Sequence, residues 1–342
     1  MMNKLKVGVI GCGSIAKYRH LPEYAQNQQT EIAAVCDIVK ERVDAFAEQY
    51  GAKAYTSYEE LLADPAIDAV SVCTPNYLHA PVSIAALQAG KHVLCEKPMA
   101  TSKEEAEAMV AAAEASGKKL MIAHNQRFVP SHQKARQLIE SGKLGKIYSF
   151  RTAFGHGGPE GWSVDGAESW FFKKEQAFIG AMGDLGVHKT DLLRFILGEE
   201  FVEVGAFVET SAKKSADVDD TAVCVLKSES GIIGTLAASW SYVSKEDNST
   251  IIYAENGIVR LEDDPVNSVI IQYKSGEVVK YELGGIQTNE AGGQTNTQVI
   301  DRFVQSIVEN AEPAVSGTEG MKSLQVVLAA LESQATKTIV KI

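Results

Sequence analysis

The sequence of 342 residues lacks any apolar run that approaches the ~20 residues needed for a membrane-spanning helix. It also lacks a basic block, and its formal net charge of -11 would repel nucleic acid. The five cysteines are odd in number and form no CxxC pair, so neither a disulfide framework nor a metal site is expected. The first apolar stretch is interrupted at Gly11, which argues against a signal peptide. We therefore expect a cytoplasmic enzyme with no membrane or nucleic-acid partner.

Apolar residues make up 45% of the chain, which is enough to form the cores of the two domains that its length suggests. Residues 1–124 alternate short apolar strands with amphipathic helices. The predicted strands are residues 5–10, 32–36, 69–73, 92–95 and 120–123, and the predicted helices are 14–25, 40–50, 80–89 and 102–116. This alternation is typical of an α/β domain whose parallel sheet has helices on both faces.

The pattern changes after residue 124, where strand-like runs follow one another with few helices between them. The predicted strands are residues 147–154, 202–208, 221–226, 232–240, 250–253, 259–262, 269–273 and 278–283. The predicted helices are 131–140, 297–309 and 318–336, and residues 284–296 are predicted to be a loop. We therefore expect a second, α+β domain over residues 125–342, with a large and mostly antiparallel open sheet.

A glycine motif follows the first predicted strand. Gly11 permits a tight turn, Gly13 lets the backbone approach a pyrophosphate, and Ala16 lets the helix pack closely on the strand. A dinucleotide phosphate would then lie at a helix N-terminus, beside Ser14 and Ile15, where free N–H groups favour anions. The spacing predicts a Rossmann nucleotide-binding unit.

Cofactor choice depends on the end of the second strand. Asp37 stands where a carboxylate accepts hydrogen bonds from the adenosine ribose hydroxyls, and it would repel the extra phosphate of NADP. Lys40 and Arg42 lie nearby and could weaken that repulsion. The sequence therefore favours NAD and leaves NADP open.

Two further motifs carry chemistry. Lys97 follows a parallel strand at the edge where ligands of open α/β sheets bind, although it could equally be a surface lysine before a proline turn. Asp184 and His188 are four residues apart on a predicted helix and so share a face, with Asp191 close to it. Histidine commonly transfers protons near neutral pH, but a plain surface Asp–His pair would look the same.

Together these motifs resemble the glucose–fructose oxidoreductase, inositol dehydrogenase and MocA family, and the resemblance covers essentially the whole chain. Its motifs here are the glycine loop, Thr74-Pro75-Asn76-Tyr77-Leu78-His79, Glu96-Lys97-Pro98, Asn125-Gln126-Arg127-Phe128 and the Asp184…His188 helix. Two departures, Gly180-Ala181-Met182-Gly183 and Trp170-Phe171-Phe172-Lys173-Lys174, lie on the substrate side and leave the substrate's identity open.

The resemblance implies roles for individual residues. Lys97 would lie between nicotinamide and substrate, and the bond between Lys97 and Pro98 would be cis. His188 would be the general acid/base, and Asp184 would orient substrate or histidine. The nicotinamide side would be lined by Thr74, Asn76, His79 and Glu96, and Arg127 would border the substrate pocket. The resemblance also implies a homodimer or homotetramer.

Three aromatic residues are weaker candidates for contact with substrate. His156 lies in a glycine-rich segment, and Trp162 and Trp170 could form a stacking wall for a sugar ring. A solvated loop histidine and ordinary aromatic packing are the competing interpretations.

We therefore expect an NAD(P)-dependent dehydrogenase that oxidises a secondary hydroxyl of a sugar, sugar phosphate, polyol or inositol. His188 would take the hydroxyl proton while Lys97 stabilises the developing alkoxide. Two alternatives stay open, namely a glycosidase that uses NAD transiently and a non-catalytic NAD-responsive binding protein.

Overall fold

The first part of the chain forms a six-stranded parallel sheet flanked by helices. The computed structural model describes residues 4–342, except residues 244, 287, 289–293 and 295. The strands are β1 (Leu5–Ile10), β2 (Thr30–Cys36), β3 (Lys53–Tyr55), β4 (Ala69–Val72), β5 (His92–Cys95) and β6 (Leu120–Ile122). The helices are α1 (Leu21–Gln26), α2 (Lys40–Tyr50), α3 (Tyr58–Ala63), α4 (His79–Gln88) and α5 (Lys103–Ser116).

The strand order β3-β2-β1-β4-β5-β6 reverses direction between β1 and β4. All five neighbouring pairs are parallel. The strands β4 and β5 are almost wholly buried, as expected for a sheet covered on both faces. The Rossmann prediction is confirmed, and ligands of such sheets bind at the carboxyl ends of the strands where the order reverses.

The rest of the chain builds a nine-stranded sheet. Its strands are β7 (Ile147–Gly155), β8 (Phe201–Glu209), β9 (Thr221–Ser228), β10 (Ile233–Ser239), β11 (Thr250–Ala254), β12 (Gly257–Leu261), β13 (Val269–Tyr273), β14 (Val278–Tyr281) and β15 (Val340–Lys341). The helices are α6 (Pro130–Glu140), α7 (Lys174–Ala177), α8 (Val187–Leu197), α9 (Val299–Val308) and α10 (Gly317–Thr336). Only the β7–β10 pair is parallel among the described pairings, which confirms a mostly antiparallel sheet.

The two sheets differ in burial. In β9, alternate residues such as Cys224 and Leu226 are buried while Val223 and Val225 face outward. One face of the nine-stranded sheet therefore packs on the second hydrophobic core and the other is open. The last helices return to the first part, because Phe303 of α9 belongs to the core of the parallel sheet. The division at residues 124 and 125 stays a prediction.

Several elements differ from the sequence prediction. The first helix contains a π-helical turn at Ala16–His20, and β3, α3 and the two-residue β15 were not predicted. These additional elements are short, so they carry too few residues for a periodic pattern. The predicted loop over residues 284–296 lies partly outside the described residues. Among the described residues, no helix has the length and apolar character needed to cross a membrane.

Candidate active site

A cavity of about 570 Å³ extends from the glycine loop at the carboxyl edge of the parallel sheet to residues of the second part. Its volume lies in the range typical of small-molecule sites. The predicted site residues that line it are Gly11, Gly13, Ser14, Ile15, Asp37, Thr74, Asn76, His79, Glu96, Lys97, His156, Trp170, Asp184 and His188. The fold thus gathers residues from distant parts of the sequence around one space.

The glycine loop is shaped for close approach by a ligand. Gly11 has a φ of +92°, and a Cβ there would lie 2.5 Å from the carbonyl oxygen of Cys73. At Gly13, by contrast, a Cβ would meet nothing within 4 Å, so this side of the turn is open. Because the turn opens into a helix start, the residues present fit the pyrophosphate of a dinucleotide.

Asp37 is held in place at the end of β2. Its Oδ2 accepts a hydrogen bond of 2.7 Å from the backbone N–H of Cys12, and its Oδ1 accepts one of 2.9 Å from that of Val39. Each carboxylate oxygen has capacity for a further bond. The carboxylate lines the cavity, and this end is called here the adenosine end because a ribose would lie beside Asp37.

A segment of the second part passes over the glycine loop. This crossing segment (residues 157–169) contacts Ser14, whose Oγ donates to the carbonyl of Trp162 at 3.1 Å and accepts from the N–H of Val164 at 3.0 Å. Its Asp165 also accepts a hydrogen bond of 2.8 Å from Arg42. The dinucleotide turn is therefore covered by residues that lie about 150 positions further along the chain.

Lys97 and Asp184 form an ion pair on the cavity wall. The Nζ of Lys97 lies 2.8 Å from Oδ1 of Asp184 and also donates to its backbone carbonyl at 3.0 Å. The indole Nε1 of Trp240 donates to the other carboxylate oxygen at 3.1 Å. The bond between Lys97 and Pro98 is cis, as the resemblance implied. Two contacts from Lys97 leave a third ammonium N–H for another acceptor.

Asp184 lies in a π-helical turn, Met182–Gly186, rather than in a regular α-helix. The carboxylate of Asp219 fixes the start of this turn by accepting from the N–H groups of Gly180 and Met182 at 2.7 and 2.8 Å. His188 follows in α8 and lines the same cavity. The predicted shared helix face is replaced by a π turn, but Asp184 and His188 still meet at one site.

His188 is a buried imidazole. Burial, followed by the charge of nearby Lys97, holds the pKa of His188 well below its ordinary value. Its Nδ1 is buried and has no hydrogen-bond partner among the described residues. The ring packs near Phe154, with 5.8 Å between centroids. A neutral imidazole of this kind is able to accept a proton.

The four residues expected on the nicotinamide side differ in how their side chains are used. Glu96 pairs with Arg19 at 2.9 Å and His20 at 2.8 Å, whereas Asn76 donates to the carbonyl of Ala177. His79 lies between two backbone carbonyl oxygens. The hydroxyl of Thr74 is buried and has no partner among the described residues, so it is the group best suited to a new polar contact.

The aromatic candidates also reach the cavity. Trp170 stacks on Phe171 with a centroid separation of 3.9 Å, and Trp162 meets the edge of the same ring at 5.1 Å. Nδ1 of His156 accepts from the N–H of Gly158. These side chains therefore both pack against other aromatic rings and line the cavity. The Nε1 of Trp162 is buried without a partner among the described residues.

Arg127, which the resemblance places at the border of the substrate pocket, is bound by two carboxylates of the second part. Its guanidinium binds Asp191 through two hydrogen bonds of 2.8 and 2.7 Å and Glu319 through a third of 3.1 Å. It does not line the cavity. The motif Asn125-Gln126-Arg127-Phe128 does not indicate that Arg127 forms ion pairs with two carboxylates of the second part, since both carboxylates are distant in sequence.

Some residues of the site carry no motif that indicates them. Trp240 is fully buried and does not line the cavity, but its indole holds Asp184. Asn125 and Gln126 line the cavity, and each has a buried carbonyl oxygen without a partner among the described residues. Their place beside Arg127 in a recognised motif was the available signal. Such unsatisfied amide oxygens are suited to accepting hydroxyl groups.

A cavity that begins at a dinucleotide turn and ends at groups able to move a proton defines a nicotinamide-dependent oxidoreductase. The family model described as "Oxidoreductase family, NAD-binding Rossmann fold" matches residues 5–124, and the model of the "GFO/IDH/MocA C-terminal domain" matches residues 132–260. The chain belongs to the GFO/IDH/MocA family of oxidoreductases, and its first part is an NAD-binding Rossmann domain.

Relatives extend over nearly the whole chain. A levoglucosan dehydrogenase from Pseudarthrobacter phenanthrenivorans is 27% identical over 100% of this chain and 99% of its own length. A myo-inositol 2-dehydrogenase from Thermotoga maritima is 27% identical over 99% of this chain and 98% of its own. The solved structure of levoglucosan dehydrogenase in complex with NADH and levoglucosan matches with a TM-score of 0.86 at 27% identity, covering 99% of this chain and 100% of that one.

Proposed function

We propose that this protein is an NAD-dependent dehydrogenase that oxidises a secondary hydroxyl group of an unphosphorylated sugar or polyol. The observation that carries the proposal is the Lys97–Asp184 pair beside the neutral His188, on the wall of a cavity that also includes the dinucleotide turn. The relatives named as levoglucosan and inositol dehydrogenases support the same substrate class.

Proton transfer is assigned to His188 and charge stabilisation to Lys97. NAD+, when bound, supplies the acceptor for the hydride that leaves the carbinol carbon. His188 accepts the proton of the hydroxyl group, and Lys97 donates a hydrogen bond to the oxygen on which negative charge develops. Asp184 keeps the ammonium group in position. The C–H and O–H bonds break as the carbonyl forms.

The charges around the cavity favour an uncharged substrate. Of the cations that line it, Arg19 is paired with Glu96, Arg42 with Asp165 and Lys97 with Asp184. A further lining cation, Lys173, is exposed to solvent. A phosphate buried beside Lys97 would therefore find no unpaired cation among Arg19, Arg42 and Lys97, which is costly. Neutral hydroxyl groups, in contrast, suit the amide oxygens of Asn125 and Gln126.

The test is NADH formation measured by absorbance over a panel of inositols, anhydro sugars, glycosides, free aldoses and sugar phosphates. We expect turnover with a neutral member, and loss of turnover in Lys97→Met and His188→Gln. The matched control is Lys103→Met, which breaks an exposed Lys–Glu pair on α5. Turnover confined to sugar phosphates would overturn the substrate class. Aglycone release from a glycoside without net NADH would instead indicate the glycosidase.

We also propose that the protein forms a homodimer through the open face of the nine-stranded sheet. Phe207 is 72% exposed and lies directly opposite the exposed Val223, and the exposed Val225 follows on the same face of β9. A contiguous apolar patch on an uncovered sheet face is characteristic of an interface. Phe207→Glu is expected to yield monomers in sedimentation analysis, whereas Val266→Glu, at an exposed valine outside this patch, is not. A monomeric wild type would refute the proposal.

A further inference from the structure

The adenosine end of the cavity contains a cation that is bound across the two parts of the chain. Arg42 lies in the first turns of α2, and its guanidinium is 3.8 Å from Oδ2 of Asp37. The same guanidinium lies 2.8 Å from Asp165 of the crossing segment. Lys40, the other nearby cation, is 72% exposed and pairs with Asp44 instead. Of these two cations, Arg42 is therefore the one placed to bind an anionic group at the adenosine end.

A free arginine at this place would attract a phosphate on the ribose. The planar guanidinium forms paired, charge-assisted hydrogen bonds to phosphate oxygens, which is why arginine is common at such sites. Here Arg42 already faces two carboxylates, so the three groups together carry a net negative charge. Glu59 also lines the cavity and lies near the end of β2, adding to that charge.

We infer that Asp165 is a cofactor-specificity residue, which excludes NADP by holding Arg42 and occupying the guanidinium face that a 2′-phosphate would need. Asp37 alone repels the phosphate, as the sequence indicated, but Arg42 would offset that repulsion if it were free. The crossing segment removes this offset because Ser14 anchors it through Trp162 and Val164. The inference rests on the dinucleotide site and not on the identity of the sugar substrate.

The experiment measures binding of the two adenosine halves, 5′-AMP and 2′,5′-ADP, by calorimetry. Wild type is expected to prefer 5′-AMP. In Asp165→Asn, the affinity for 2′,5′-ADP should rise about tenfold, the value of one released charge-assisted contact, while that for 5′-AMP changes less than about twofold. The unchanged 5′-AMP affinity also reports that the variant is folded.

Two further variants separate this mechanism from general charge reduction. Glu168→Gln removes another carboxylate that lines the cavity from the same crossing segment, yet Glu168 forms no ion pair with Arg42. It should leave 2′,5′-ADP binding unchanged. Adding Arg42→Ala to Asp165→Asn should abolish the gain.

Three outcomes would overturn the inference. They are an unchanged 2′,5′-ADP affinity in Asp165→Asn, an equal gain in Glu168→Gln, and a gain that survives removal of Arg42. Absence of binding by both nucleotides to wild type would overturn the dinucleotide site itself, and with it this inference. A dehydrogenase whose substrate lies outside the sugars would leave these binding results as expected.

Discussion

Two ion pairs connect the parallel-sheet half to the helical segment of residues 182–197, and they differ in what surrounds them. Lys97 follows β5 and pairs with Asp184, whereas Arg127 follows β6 and pairs with Asp191. The first pair lines the cavity, and its lysine keeps an N–H available. The second is enclosed, since Asp191 is 1% exposed and also accepts a hydrogen bond from Ser323.

The same kind of ion pair therefore serves two purposes, according to whether water reaches it. An enclosed pair is costly to break because removal of one partner leaves the other charged and buried. A pair on a cavity wall is reached by water, so its loss is expected to affect reactivity more than stability.

The largest effect is expected for Lys97→Met. Loss of a charge-stabilising donor lowers kcat/KM by about a thousandfold. The melting temperature should change little, because cavity water is able to hydrate Asp184 and Trp240 still binds it. Steady-state kinetics and thermal denaturation of the same preparation measure both quantities. A large loss of stability would show that the two pairs are alike.

Arg127→Met should have the opposite result. Removing the guanidinium leaves Asp191 buried without its bidentate partner, which lowers the free energy of unfolding by about 3 kcal/mol. The kcat below the melting transition should stay within about twofold of wild type, since Arg127 does not line the cavity. Urea denaturation and initial rates provide the measurements.

The matched control for Arg127 is Arg136→Met. Both guanidinium groups lie over the ring of Phe195, but that of Arg136 is half-exposed and pairs with Glu140 on its own helix. Its loss should cost less than about 1 kcal/mol. Equal destabilisation by both variants would mean that packing on Phe195, and not the buried pair, accounts for the effect of Arg127.

Trp240→Phe should lower activity less than Lys97→Met does. The aromatic ring keeps its packing beside Phe171 and Phe172, but Asp184 loses one hydrogen-bond donor. We expect kcat to fall about tenfold, the value of one hydrogen bond to a charged group, with the affinity for NADH unchanged. Fluorescence titration of NADH separates this positioning role from general damage, which would weaken NADH binding as well.

Regions formed by interactions between residues close in sequence are predictable, whereas contacts between distant residues are not. The parallel sheet and the antiparallel sheet were predictable because their apolar periods are local. Motifs predict the residues of the glycine loop, Lys97 and His188 as site residues. The partners of Arg127 could not be predicted, because Asp191 and Glu319 lie 64 and 192 residues away, and only the fold brings them together. Trp240 was missed for the same reason.

The pH dependence of oxidation should report the protonation of His188. His188 must be neutral to accept a proton, and its lowered pKa keeps it neutral below the ordinary histidine range. The acid limb of kcat/KM for oxidation should therefore lie below pH ~6.5 in wild type. Lys97→Met removes a cation that lowers the pKa of His188, so the pKa of His188 should rise in this variant. The acid limb of its residual activity should therefore move to higher pH.

Arg127→Met provides the control within the same comparison, because Arg127 is not among the charges with the largest effect on the pKa of His188. Its acid limb should coincide with that of wild type, although its stability is lower. A limb that moves equally in both variants would mean that the enclosed pair also acts on the imidazole. In that case access to the cavity would not explain the different effects of the two ion pairs on activity. Their distances from His188 would have to explain those effects.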